Sequence, residues 1–132
     1  MTMLRTVFLA LALPFVLAAC STGGGSTAYD YSGAWTGTRE DSRGFLATET
    51  VTLTQDGSDV GGTWQSVSSE GTFGGTVLGV VNGNEVVIEF FPSQVNLCPF
   101  RAVLTRNGDT LSGTYAAFNC TASLSGTITI SR

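Results

Sequence analysis

Three dipeptides, Asp56-Gly57, Asn82-Gly83 and Asn107-Gly108, each stand between runs in which apolar and polar residues alternate. Glycine adopts the positive φ of a tight hairpin turn at no steric cost, so each dipeptide marks a place where an extended chain reverses. Val51 and Leu53 alternate with Thr50, Thr52 and Thr54, and Ile128 and Ile130 with Thr127 and Thr129. A period of two puts such apolar side chains on one face of a strand. Beyond Gly33 no stretch carries the three- and four-residue apolar spacing of an amphipathic helix.

With the turns as boundaries, eight strands are expected over 33–40, 45–55, 59–68, 71–81, 84–91, 97–106, 110–118 and 122–131. Each follows its predecessor through a short connection, which is the layout of an antiparallel meander. Closing the meander removes two exposed edges. The expected fold is therefore all-β, an eight-stranded antiparallel up-and-down barrel over residues 33–132 whose last strand pairs with its first. A two-sheet β-sandwich is the alternative.

An internal repeat uses one hairpin twice. Leu53-Thr-Gln-Asp-Gly-Ser-Asp-Val-Gly-Gly-Thr-Trp64 aligns without gaps on Leu104-Thr-Arg-Asn-Gly-Asp-Thr-Leu-Ser-Gly-Thr-Tyr115, with five of twelve positions identical. Glycines inside the expected strands, such as Gly62 and Gly113, would relieve crowding where a small barrel bends sharply.

Ahead of this domain the chain has another character. Met1 to Arg5 supplies an α-amine and one arginine, and Val7 to Leu17 is an apolar run too short to span a bilayer. Together they read as a secretory signal helix over 1–19. Leu17-Ala18-Ala19-Cys20 resembles the lipobox of bacterial lipoproteins. That resemblance implies cleavage before Cys20 and diacylglycerol on its thiol. Two or three acyl chains, at about 0.8 kcal/mol per buried methylene, make a stable membrane anchor. Ser21, where an Asp would signal inner-membrane retention, points to the outer membrane of a bacterial cell envelope, facing the periplasm. Residues 20–32, small and polar with three consecutive glycines, read as a flexible tether.

Removing residues 1–19 from 132 leaves 113, one domain of modest size carrying ten acidic and five basic side chains. Nucleic acid is not expected as a partner, because phosphate binding needs clustered cations. The chain has no histidine and no lysine, which removes the commonest general base, the commonest metal ligand and the Schiff-base nucleophile. No enzyme activity, metal or cofactor is expected. Asp56-Gly57-Ser58-Asp59 lacks the ligand spacing of a calcium loop and reads as a turn. With Cys20 acylated, Cys98 and Cys120 remain as an even pair in an oxidising compartment, and a disulfide between them is expected.

Gly33-Ala-Trp35 and Gly62-Thr-Trp64-Gln-Ser66 resemble the Gly-x-Trp opening and the later Gly-Thr-Tyr-x-Ser of avidins, within the avidin and lipocalin class of small barrels. The resemblance implies a container shape. It does not imply biotin, because Gly37 stands where an avidin places a ligand-binding Asn and Trp64 replaces the Tyr. Trp35, Trp64, Ser66 and Tyr115 are the candidate ligand-binding residues. The same aromatics also suit a plug that fills the barrel. Glu89 and Arg101 suit an inward polar anchor or an exposed cross-strand pair. Phe90, Phe91 and Phe100 suit a partner patch or ordinary core.

Two functions fit these residues. The first is non-catalytic binding of a small or apolar ligand inside an open barrel, which an interior space of about 300 Å³ or more would favour. The second is a protein-interaction or inhibitor module that works on an envelope protein through the loops at the barrel rim.

Overall fold

The computed structural model describes residues 28–132. The signal 1–19, Cys20 and the tether as far as Thr27 lie outside the described residues. Eight strands follow in order: β1 (Gly33–Asp41), β2 (Leu46–Asp56), β3 (Asp59–Ser68), β4 (Gly71–Asn82), β5 (Glu85–Pro92), β6 (Phe100–Asn107), β7 (Thr110–Ala117) and β8 (Ser125–Ser131). They form one closed antiparallel barrel. β1 pairs with β8 from Thr36↔Ser131 to Asp41↔Gly126, which excludes the sandwich.

The side-chain alternation is the reason the barrel closes with its apolar face inward. In β2, Ala47, Val51 and Leu53 are buried while Thr48, Thr50, Thr52 and Thr54 are exposed. Apolar inside and polar outside is the reverse of a membrane-spanning barrel. Among the described residues no helix is long and apolar enough to cross a membrane.

Three hairpins turn one residue later than the dipeptides suggest. Asp56, Asn82 and Asn107 still pair, with Asp59, Glu85 and Thr110, so the two-residue loops are Gly57-Ser58, Gly83-Asn84 and Gly108-Asp109. Each of these glycines has φ of 61° at the first loop position, the signature of a type II′ turn. In the repeat, Gly62 opposes Leu53 and Gly113 opposes Leu104. A side chain at Gly113 would collide with the Val103 carbonyl, so strands this sharply coiled need glycine there.

These three glycine-led turns gather at one end of the barrel, and that end is sealed. Tyr31 and Trp35 are fully buried, with ring centroids 6.5 Å apart, and the Trp35 indole N–H donates to the Tyr31 carbonyl at 2.9 Å. The Tyr31 hydroxyl donates to the Gly83 carbonyl at 2.8 Å, and its backbone N–H donates to Gln55 Oε1 at 2.8 Å. Tyr29 packs edge-on against Tyr31, bonds Asp109 through its hydroxyl, and lies between the guanidinium groups of Arg106 and Arg132. Tyr29 and Tyr31, which the small polar composition of 20–32 placed in the tether, therefore pack against the barrel. Two tyrosine rings supply enough buried area to hold that part of the expected tether against the barrel. Replacing Tyr31 by phenylalanine keeps the ring and removes one buried hydrogen bond. The expected loss is about 1 kcal/mol, read by urea unfolding.

The other end carries the longer connections between β1 and β2, β5 and β6, and β7 and β8, together with the two-residue β3–β4 turn Ser69-Glu70. Two of them, the β5–β6 and β7–β8 connections, are joined by the expected Cys98–Cys120 disulfide, with Cα atoms 5.7 Å apart. β6 and β8 begin later than expected because these tied loops absorb Cys98, Pro99 and Ser123.

Candidate functional site

Between the sealed end and the looped end the barrel is filled by side chains. Phe90 and Phe100 stack at 4.4 Å, and Trp64 stands edge-on to both at 5.6 and 5.5 Å. Phe90 and Phe100 are thus core, while Phe91 packs against Phe118 away from that stack. Glu89 and Arg101 face each other across β5 and β6 at 3.4 Å, both substantially exposed, which makes them a surface pair worth under about 1 kcal/mol.

Above Trp64 and Phe100 the packing stops. A cavity of about 160 Å³ opens at the looped end, walled by Arg39, Ala47, Trp64, Phe73 and Phe100 from the strands. Asp41, Arg43, Phe45, Leu97 and Leu124 form its rim. This is smaller than the roughly 300 Å³ at which drug-sized pockets begin. It matches an apolar hole of about 150 Å³ that accommodates a benzene ring.

A buried ion pair lies beneath the cavity. Arg39 Nε donates to Glu49 Oε1 at 2.7 Å, with the arginine side chain 16% exposed and the glutamate 0%. Arg39 Nη1 donates to the Tyr115 hydroxyl at 3.2 Å and Nη2 to the Ser66 hydroxyl at 3.2 Å. The guanidinium carbon sits 5.2 Å from the Phe100 ring centre and 5.1 Å from that of Tyr115. The backbone explains the fit. Glu49 is flanked in register by Gly37 on β1 and Ser66 on β3, two small neighbours, so Arg39 reaches it diagonally.

Burial pushes the Glu49 carboxyl above the ordinary value, with Arg39 opposing the rise. Its Oε2 lacks a geometrically sound hydrogen-bond partner, as does the buried indole nitrogen of Trp64. Burial likewise raises the Tyr115 phenol, which stays a neutral hydroxyl at physiological pH. At the rim the Asp41 carboxylate accepts from the backbone N–H groups of Arg43 and Phe45 at 2.8 and 3.0 Å and from the Arg43 guanidinium at 2.7 Å. The Phe45 N–H and the Arg43 side chain hold this carboxyl below the ordinary carboxylate range. Its neighbour on the strand, Glu40, points outward while Asp41 is buried, as the two-residue period of a strand requires.

The four candidate residues thus separate. Trp64 lines the cavity, Ser66 and Tyr115 lie under it and hold Arg39, and Trp35 plugs the far end. Sequence reasoning missed Arg39 and Glu49. The signal was there: Arg39 shares a face with Trp35 and Gly37, and Glu49 sits between Ala47 and Val51 on the apolar face of β2. A charge on the inward side of a strand is costly without a partner, so two of them on adjacent strands point to each other. Among the described residues no group of three or more His, Cys, Asp or Glu converges as a metal site.

No family model matches the chain, and no curated protein matches it. Among solved structures it is similar to one described as a de novo design of a fluorescence-activating beta barrel. The TM-score is 0.64 at 17% identity, over 80% of this chain and 95% of that one. At that identity the likeness is one of shape, and the chain is a closed eight-stranded antiparallel β-barrel of the same outline.

Proposed function

We propose that this protein is a bacterial envelope lipoprotein, anchored through acyl chains on Cys20, whose barrel binds a small molecule at its looped end without catalysing a reaction. The observation that carries the binding reading is the cavity itself. An interior otherwise filled by buried side chains leaves a gap where apolar walls meet a few polar groups, which is how ligand sites are built. Its size suits a single ring, or the ring-bearing end of a longer molecule.

The clamp on Tyr29 supports an orientation. Tyr29 lies nine positions after Cys20, a reach of about 30 Å at most, and the chain joins the barrel at its sealed end. On this reading the sealed end faces the lipid and the mouth of the cavity faces away from it, open to diffusing solutes.

Two measurements test the proposal. Intact mass of membrane-extracted protein should give a chain that begins at Cys20 and carries acyl mass, and a chain beginning there without it would overturn the anchor. A fragment library titrated against the purified chain should contain compounds that shift cavity-wall amides, and Ala47→Phe, which fills the space, should abolish those shifts. A library that moves none of them would overturn the ligand site.

The rim also supports a second reading, as a protein-interaction or inhibitor surface. Val95 is 97% exposed and Leu97 37% in the loop that the disulfide ties down. An ordered loop presenting apolar side chains is a usual contact for a protein partner. Under that reading Val95→Asp, and not Ala47→Phe, would remove the activity.

A further inference from the structure

We propose that the outer wall of β4, β5 and β6 is a contact face for a second copy of this chain, placed by a twofold axis that runs along the strands between β5 and β6. The wall differs here from the rest of the barrel. Outward positions on β1, β2 and β8 are mostly threonine, among them Thr38, Thr50, Thr52 and Thr129. On β4 to β6 they turn aliphatic, with Leu78 61% exposed, Val80 54% and Val103 42%, and Val87 half-buried between them. Register makes these side chains contiguous. Val80 pairs with Val87 and Val87 with Val103, so three valines cross three strands in one row, and Leu78 lies beside Val80 on β4. A contiguous apolar patch on an otherwise polar wall marks a contact surface.

The charges select a copy of the same chain as the occupant. In the row next to the valines, Glu89 and Arg101 stand opposite each other, 3.4 Å apart and both partly exposed. The patch thus carries one charge of each sign, side by side across β5 and β6. A partner of uniform charge would repel one of them, whereas an identical surface can satisfy both. With the axis along the strands between β5 and β6, Glu89 meets Arg101 of the partner subunit and Arg101 meets Glu89 of the partner subunit. Val87 and Val103 meet across the axis in the same way. An axis turned by 90°, along the row of charges, would set Glu89 against its own copy and Arg101 against its own, which like-charge repulsion opposes. The along-strand axis also puts both sealed ends on one side, so the two chains leave their Tyr29 clamps in the same direction.

The test is sedimentation equilibrium of the full chain and of two charge-reversed variants in a nonionic detergent. The unchanged chain should dimerise at concentrations up to about 100 μM, as a small interface permits. Glu89→Arg and Arg101→Glu should each raise the dissociation constant about tenfold or more, because each sets like charges together at two symmetric contacts. Both side chains lie on the outer wall, so neither change threatens the fold. Mixed in equal amounts, the two variants should associate at least as well as the unchanged chain, since every contact between them then joins opposite charges. Loss of the pair within one chain could not produce that recovery. Cross-linking reads the register: a Val87→Cys chain mixed with a Val103→Cys chain should form a disulfide-linked dimer under air oxidation faster than either does alone. A chain that stays monomeric throughout would overturn the proposal, and if a spin-labelled lipid then broadens the methyl signals of Val87 and Val103, the face belongs to lipid. Variants that weaken association without recovery on mixing would overturn the twofold pairing.

Discussion

Replacing Arg39 by alanine is expected to cost the barrel about 3–5 kcal/mol at neutral pH, because it leaves the fully buried Glu49 carboxylate without its counter-charge. The loss should depend on pH in a direction the structure sets. Burial raises the Glu49 carboxyl in the folded protein, and Arg39 is the main influence holding it down, so the variant raises it further. A folded value above the unfolded one means that the protonated form is the one the fold tolerates. Its contribution is fully present below the unfolded value and is lost as pH rises through the folded one. The deficit of the variant should therefore be small near pH 4 and grow to its full size toward pH 7. Urea unfolding of both proteins at the two pH values reads it, and an equal deficit at both would rule out an uncompensated carboxylate as the cause. Replacing both partners together, Arg39→Met with Glu49→Leu, should recover most or all of the loss, since two apolar side chains suit the site as well as a desolvated ion pair does.

Replacing Cys98 and Cys120 by serine is expected to lower stability by about 3 kcal/mol, the loop-closure entropy released to the unfolded chain by freeing a 22-residue separation. For a domain of this size that is a fall in Tm of roughly 10–25 °C. The effect should also be local. The bridge ties the β5–β6 and β7–β8 connections, whose Leu97, Cys98 and Leu124 border the cavity. Hydrogen exchange should rise at the rim well before it rises around Trp35 and Tyr31, which the tyrosine clamp holds independently. A uniform rise, or a Tm unchanged within a few degrees, would mean that the bridge merely joins loops already fixed by packing.

The ion pair and the disulfide both lie at the looped end of the barrel, which is held together differently from the sealed end. The sealed end is built from neighbours close along the strands and from two-residue turns, with Tyr31 filling the hole that remains. The looped end replaces such packing with a disulfide, a carboxylate-bound turn at Asp41 and a buried ion pair. Each holds shape without filling volume, which is what a cavity at this end requires.

Much of the fold was legible in the chain. Alternating Thr with Val, Leu or Ile names the inward face of β2 and β8 directly, and glycine at the turns names the reversals. Both signals are local, set by backbone sterics and by a period of two, so a single sequence carries them. Even there the turns moved by one residue, because Asp-Gly and Gly-Ser both satisfy the positive φ and only the pairing register chooses between them.

The chain alone therefore determined an all-β meander, its strand count, its disulfide partners and the inward side of most strands. What the tertiary structure decided is where that meander is solid and where it is hollow. Trp35 and Trp64 look alike in the sequence, each following a glycine by two residues, yet one is a plug and the other a cavity wall. Arg39 and Glu49 look like scattered surface charges until closure of the barrel turns both inward and places them 2.7 Å apart. The physical reason is that period and turn chemistry act between residues adjacent in the chain, whereas filling a barrel depends on volumes contributed by all eight strands at once, and on a register that exists only after β1 has met β8.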